Sequence, residues 1–314
     1  MPQPAVIPSP SDWLLGFDDY EYLVVDVFTS RPLEGNQLGV FLDGQAFSDD
    51  EMLRLARELK FAETVFLLPP QTAGHVAVRI FTPANELPFA GHPVLGTAFV
   101  VGTALAPEER VVLETGAGPI SVNLTRQAGR VTFGRMQQPT PTWEPFDRAD
   151  ELLAALGVDL SLLPIEVYRN GPAHVYVNLE NEAAVAELRP DLTQLTQIGV
   201  AANCFAGHAA SWKTRVFFPA AGVPEDAATG SAAGPLAAHL ARHGQIAFGQ
   251  EIEIRQGEEI DRPSVLYAKA TGSPDLIESI EVAGRAQIVA HGHYRIQEQA
   301  PGAKLDPNAT HWLS

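Results

Sequence analysis

The chain has 314 residues, 46% hydrophobic and 19% charged, which is a soluble globular composition with room for one large domain or two ordinary ones. Twenty-one basic against 38 acidic residues give a net charge of −17, which excludes the Lys/Arg-rich faces that nucleic acid and anionic membrane surfaces select. A small acidic ligand would have to rest on local donors.

The single cysteine, Cys204, excludes an intrachain disulfide. Residues 1–30 hold no Lys or Arg, and no stretch approaches the ~20 apolar residues of a spanning helix. The expected setting is cytoplasmic, without membrane or nucleic-acid contact.

In chain order, MPQPAVIPSPSDW is a Pro-rich extension and YLVVDVF (22–28) a strand. A loop SRPLEGNQ leads to a second strand, LGVFL (38–42). Ser48-Asp49-Asp50-Glu51 has capping-box spacing and opens a helix running to about Lys60, with Met52, Leu55 and Leu59 on one face. TVFLLPP and VAVRIFTP are further strands. HPVLGTAFVVGTAL is apolar all round, so it predicts a fully buried helix, with Pro93 in its first turn.

The second half repeats this plan. RIFTPANELP (79–88) aligns without gaps on RVFFPAAGVP (215–224), and each is followed by small residues opening a helix. The expected fold is α+β: two pseudo-symmetric halves, each a mixed or antiparallel sheet wrapped on one buried helix.

Polar residues gather at the two strand-to-helix junctions: Gly91 and His92 in the first, Glu225, Asp226, Thr229, Gly230 and Ser231 in the second. Two helix starts facing one cleft would hold a small anion such as a carboxylate. Taken singly, Asp226, Thr229 and Ser231 are ordinary N-caps and His92 an ordinary loop histidine. Glu63 is harder to dismiss, because it borders an apolar strand with only Lys60 as a nearby cation. Glu63, His92 and Asp226 together point to proton transfer. Phosphate-loop, dinucleotide and GxSxG signatures are absent from the sequence. His239 and His243, four apart, lack the companions of a metal motif and read as exposed or C-terminal helix histidines, so no metal is expected. Cys204 reads as a small buried hydrophobe and cannot supply a thiol pair.

At these junctions the sequence resembles the PhzF-type isomerases of phenazine biosynthesis, relatives of diaminopimelate epimerase in fold. The likeness runs from about Tyr22 to Val289. It is carried by VDVFTSRPLEGN, MLRLARELKFAETVF, RIFTPANELPFAGHPVLGTA, NCFAG and GVPEDAATGSAAGPLAAHLARHGQIAFGQ, and more narrowly by MQQPTPTW and YRNGPAHVYV. The family usually reads GNP where this chain has Gly35-Asn36-Gln37.

The resemblance implies a cofactor-free isomerase of trans-2,3-dihydro-3-hydroxyanthranilate, moving a proton from C3 to C1 of the ring. The catalytic residues it implies are Glu63, His92 and Asp226, with Glu63 as the proton shuttle; on physical grounds a base of this kind benefits from apolar surroundings that raise its pKa, and Phe61 and Phe66 are the expected source. The substrate carboxylate would meet Gly230 and Ser231, with Gly91 at the facing helix start. It also implies a homodimer and contact with other phenazine-pathway enzymes. The expected division is an extension (1–19), an N-terminal half (20–137 plus 285–297), a C-terminal half (138–284) and a tail (298–314). An epimerase acting on another small amino or hydroxy acid, an anion-binding protein, and a scaffold subunit remain open at this point.

Overall fold

In the computed structural model, which describes residues 18–104 and 108–296, local sequence signals set the elements. The N-terminal extension up to residue 17 and the tail from 297 lie outside the described residues. The first half runs β1 (Asp18–Val27), β2 (Asn36–Phe41), α1 (Asp49–Leu59), β3 (Glu63–Leu68), β4 (Val76–Phe81), β5 (Glu86–Leu87), α2 (Gly91–Ala104), β6 (Arg110–Thr115), β7 (Gly118–Gln127) and β8 (Arg130–Gln138). The second runs β9 (Thr142–Pro145), α3 (Ala149–Leu156), β10 (Glu166–Arg169), β11 (Ala173–Asn178), α4 (Glu182–Ala186), α5 (Leu192–Ile198), β12 (Ala201–His208), β13 (Ser211–Phe218), β14 (Val223–Asp226), α6 (Gly230–Arg242), β15 (Glu251–Gln256), β16 (Ser264–Ser273) and β17 (Leu276–Gly284). The last strand, β18 (Ala286–Ile296), returns to pair antiparallel with β1.

The capping box forms as its spacing predicts: the Ser48 hydroxyl accepts from Glu51 N–H, while the Glu51 carboxylate accepts from Ser48 N–H. Lys60 closes α1 in the left-handed conformation, turning the chain so that Glu63 opens β3. The α2 segment is buried from Gly91 to Gly102, as its unbroken apolar composition requires. It packs on β1, β2, β3, β6, β7 and β8, while α6 packs on β15, β16 and β17. Among the described residues, no helix is long and apolar enough to cross a membrane.

Among the described residues all strands join one mixed sheet. In the first half β2–β3 and β4–β6 are parallel and β3–β4, β6–β7 and β7–β8 antiparallel. The second half repeats each pairing in β11–β12, β13–β15, β12–β13, β15–β16 and β16–β17. The two series meet where β8 pairs with β17, placing Met136 opposite Val282. These two occupy matching positions, since Met136 faces Val122 as Val282 faces Ala268. A local two-fold therefore passes between them. Followed outward, the register matches Leu38 opposite Glu63 with His174 opposite Ala201. Glu63 thus has Ala201 as its counterpart.

Candidate active site

A cleft of about 390 Å³ opens between the halves. Glu63, Asp226, Thr229, Ser231 and His174 bring polar groups to it, and Leu87, Pro172, Val216, Phe218 and Val223 line it with apolar surface. A small, mostly apolar cleft with a few converging polar groups suits a compact ligand.

Glu63 is 15% exposed in its side chain, and its Oε2 lies 3.3 Å from His92 Nε2. The angle there does not make a hydrogen bond, so both atoms are buried without a hydrogen-bond partner. Burial, and then the negative charge of Asp226, raise the proton affinity of Glu63 well above the usual carboxylate range. Burial lowers His92 to about 3, so its imidazole is neutral. A buried acid of raised proton affinity beside a neutral imidazole can accept and return a proton.

Asp226 closes β14, and side chains from distant elements hold it. Asn36 Nδ2 donates to Asp226 Oδ1 (2.7 Å) and to the Ala228 carbonyl (3.0 Å), with His92 Nδ1 at 3.3 Å. The Thr229 hydroxyl donates to Asp226 Oδ2 (2.7 Å), and Gln256 Nε2 donates to the Asp226 carbonyl (2.8 Å). Burial raises Asp226, and the hydrogen bonds from Thr229 and Asn36 oppose that rise. Thr229 is at the N-cap of α6 but makes no side-chain cap bond: its hydroxyl oxygen accepts instead from Gln256 Nε2 (2.9 Å), while its hydrogen goes to Asp226.

The starts of α2 and α6 touch. A Cβ on Gly91 would stand 2.4 Å from both Gly230 C and Ser231 N, so the approach needs glycine. Pro235 has no N–H to give the Ser231 carbonyl four residues back, and Asn170 Nδ2 supplies that bond instead (3.1 Å). Gln138 Nε2 donates to the Gly230 carbonyl at 2.8 Å.

The sequence matches the family described as phenazine biosynthesis-like protein (PhzC-PhzF) over residues 25–292. The chain belongs to this family. It is 53% identical over 274 residues to the trans-2,3-dihydro-3-hydroxyanthranilate isomerase of Pseudomonas aeruginosa, covering 87% of this chain and 98% of that one. A PhzF-family phenazine biosynthesis protein from Bacillus anthracis superposes with a TM-score of 0.78 at 25% identity, covering 89% of this chain and all of that one. A hydroxyproline epimerase from Agrobacterium vitis shares the fold alone, with a TM-score of 0.64 at 13% identity over 89% of this chain and 93% of that one. The PhzC-PhzF architecture seen here is the α+β, diaminopimelate epimerase-like fold.

Of the residues named from sequence, the fold brings Glu63, Asp226 and Ser231 to the cleft wall. His92, Gly91 and Gly230 are buried immediately behind it. Three expectations change. Strand alternation sends Phe66 to the opposite face of β3, where it stacks on Phe41 with ring centroids 5.0 Å apart; the apolar wall facing Glu63 comes from across the cleft. Phe61 lines a separate hollow. His239 is fully buried, and it and His243 both contact Glu166, at 3.1 and 3.0 Å. The ligand atoms of these three lie within 4.8 Å of one another, as a metal would need. Arg242 Nη1, however, sits 2.7 Å from the same Glu166 oxygen, so the cluster is already a charge-compensated network. Asn36, Gln256 and His174 were not singled out from sequence. Asn36 lies in the GNQ turn, and His174 is the one charged-type residue in the apolar run AHVYV.

Proposed function

We propose that this PhzC-PhzF member is an isomerase converting trans-2,3-dihydro-3-hydroxyanthranilate to the aminoketone precursor of phenazines, without a cofactor. High identity to an isomerase of that name, over nearly the whole of that relative, supports the substrate. The observation that carries the mechanism is the asymmetry of the cleft. Glu63 is a carboxyl with raised proton affinity, and its two-fold counterpart is Ala201, which has no acid–base group. An epimerase inverting a stereocentre by two-base chemistry wants a group on each side. A proton shuttle on one ring face wants one.

In this reading Glu63 takes the C3 proton, the C–H electrons enter the ring π system, and the same carboxyl returns the proton at C1. The enol left at C3 then becomes a ketone. His92 and Asp226 hold the amino and hydroxyl groups of the substrate while charge redistributes. The carboxylate lies at the touching helix starts, near Gly91, Gly230 and Ser231, where unpaired N–H groups and the positive dipole end favour an anion. The working enzyme is a cytoplasmic homodimer that passes its unstable product to other phenazine-pathway enzymes.

The test is turnover of trans-2,3-dihydro-3-hydroxyanthranilate in D2O, followed by absorbance and NMR, with wild type and Glu63→Gln side by side. Wild type should consume the diene, and Glu63→Gln should bind the stable mimic 3-hydroxyanthranilate while losing roughly 10²–10⁴ in rate. A fully active Glu63→Gln enzyme overturns the assignment of the base. A wild type that binds the mimic but leaves the diene untouched overturns the substrate.

A further inference from the structure

His174, on β11, is 2% exposed, lines the cleft and has no part in the chemistry above. Its ring is held at both nitrogens. Nε2 lies 3.0 Å from Ser231 Oγ, and Nδ1 lies 3.4 Å from Asn203 Nδ2.

Which nitrogen carries the proton follows from Asn203. Its Nδ2 also donates to the Ala201 carbonyl at 3.2 Å. A carbonyl can only accept, so this end of the amide is the NH2 and cannot be flipped. His174 Nδ1 therefore faces a donor and offers its lone pair. Burial keeps the imidazole neutral, with its proton affinity lowered to about 3, so the single ring hydrogen sits on Nε2. Nε2–H then donates to Ser231 Oγ. Among the described residues, Ser231 Oγ makes no other hydrogen bond. With an incoming donor fixed on its oxygen, Ser231 has its own hydrogen free to turn toward the cleft it lines.

We propose that His174 is a positioning residue: held in one tautomer by Asn203, it makes Ser231 an obligatory hydrogen-bond donor to the substrate's carboxylate. This rests on the reading of an anionic ring substrate in the cleft. The relay favours carboxylate over a neutral amide, because a fixed donor is worth more to a charged acceptor than to an amide oxygen, and a carboxamide, which can also turn its NH2 to an unfixed hydroxyl, gains little from the fixing.

The experiment compares binding of 3-hydroxyanthranilate and its carboxamide by calorimetry, for wild type, His174→Phe, Ser231→Ala and the double variant, alongside turnover of the dihydro substrate. Wild type should prefer the carboxylate. His174→Phe should lose roughly 2- to 10-fold in carboxylate affinity, less than a whole hydrogen bond to a charged group because Ser231 keeps its hydroxyl but is no longer held as a donor, with little change for the carboxamide. KM should rise while kcat holds, as expected when an anchoring hydrogen bond weakens equally in ground and transition states. In the Ser231→Ala background His174→Phe should add nothing, because both changes remove one device. His174→Gln, whose amide can still donate to Ser231, should recover part of the preference.

Equal weakening of both ligands, or additive effects in the double variant, would overturn the relay. The tautomer is checked without any substitution: imidazole 15N resonances of the wild-type enzyme should show protonated Nε2, and a protonated Nδ1 would refute the proposal. Wild type binding neither ligand would instead refute the substrate reading on which it rests.

Discussion

Replacing Gly91 with alanine tests the site's central contact. The new Cβ would lie 2.4 Å from Gly230 C and from Ser231 N, whereas ordinary contact begins near 3.4 Å, so the helix starts must part by about 1 Å. Both obstacles are backbone, and no side-chain rotation relieves them. Gly91 is the first residue of α2, where the alanine preference of a helix interior does not apply. Overpacking of roughly 1–3 kcal/mol should therefore lower stability. Activity should fall much further. His92 rides on α2 and Ser231 on α6, and a displacement of about 1 Å between groups that hold a reacting molecule can cost ~10²-fold. The assay is kcat/KM on the dihydro substrate beside a urea unfolding curve. Near-wild-type turnover with raised stability would refute the reasoning, since it would mean the helix starts neither constrain one another nor set the site.

Other outcomes follow from the buried groups. Burial raises the Glu63 carboxyl in the folded state, so its contribution to stability is full below the ordinary value of 4.5 and is lost as pH rises through the raised folded value. Glu63→Gln should therefore gain on wild type as pH rises, by up to about 1.4 kcal/mol per pH unit within that window; parallel urea midpoints from pH 4.5 upward would sink this. Glu166→Ala removes the acceptor shared by Arg242, His239, His243 and Tyr168 and should cost roughly 3–5 kcal/mol by calorimetry, which a loss under 1 kcal/mol would contradict. The Cys204 thiol, pushed up to about 12 by burial, should resist iodoacetamide at pH 8 until the chain unfolds, so labelling of native protein would count against its enclosure.

What could be read from the sequence was local or repeated. The gapless match of residues 79–88 with 215–224 carries its signal by repetition, and the Ser48–Glu51 box and the all-apolar α2 carry theirs within one short segment. Glu63 was visible for the same reason, as an acid at the mouth of an apolar strand. What escaped depends on distance along the chain. Asn36 meets Asp226 across 190 residues, and His174 meets Ser231 across 57. The duplicated junctions also hid a detail. The second carries three more residues than the first, so by position within the helix, second residue in each, the partner of His92 is Ser231, while Asp226 belongs to a strand end. His239 and His243 share a helix face by spacing, but spacing does not say which face is buried. The small residues of α6 draw that face into the core as far as Ala241.

The return of β18 to β1 has a consequence for how the protein is made. β1 leaves the ribosome ahead of every other described strand, yet the partner for one of its edges is the last described strand to be synthesised. Until then Leu23, Val25 and Val27 lie along an unpaired edge, the geometry that templates intermolecular pairing. Strands β9 to β17, by contrast, find their partners among themselves and β8, so all their neighbours are already available once β17 emerges. The later-made part of the sheet can therefore close before the earlier one. A nascent chain stalled ahead of residue 286 would be the species most in need of a chaperone.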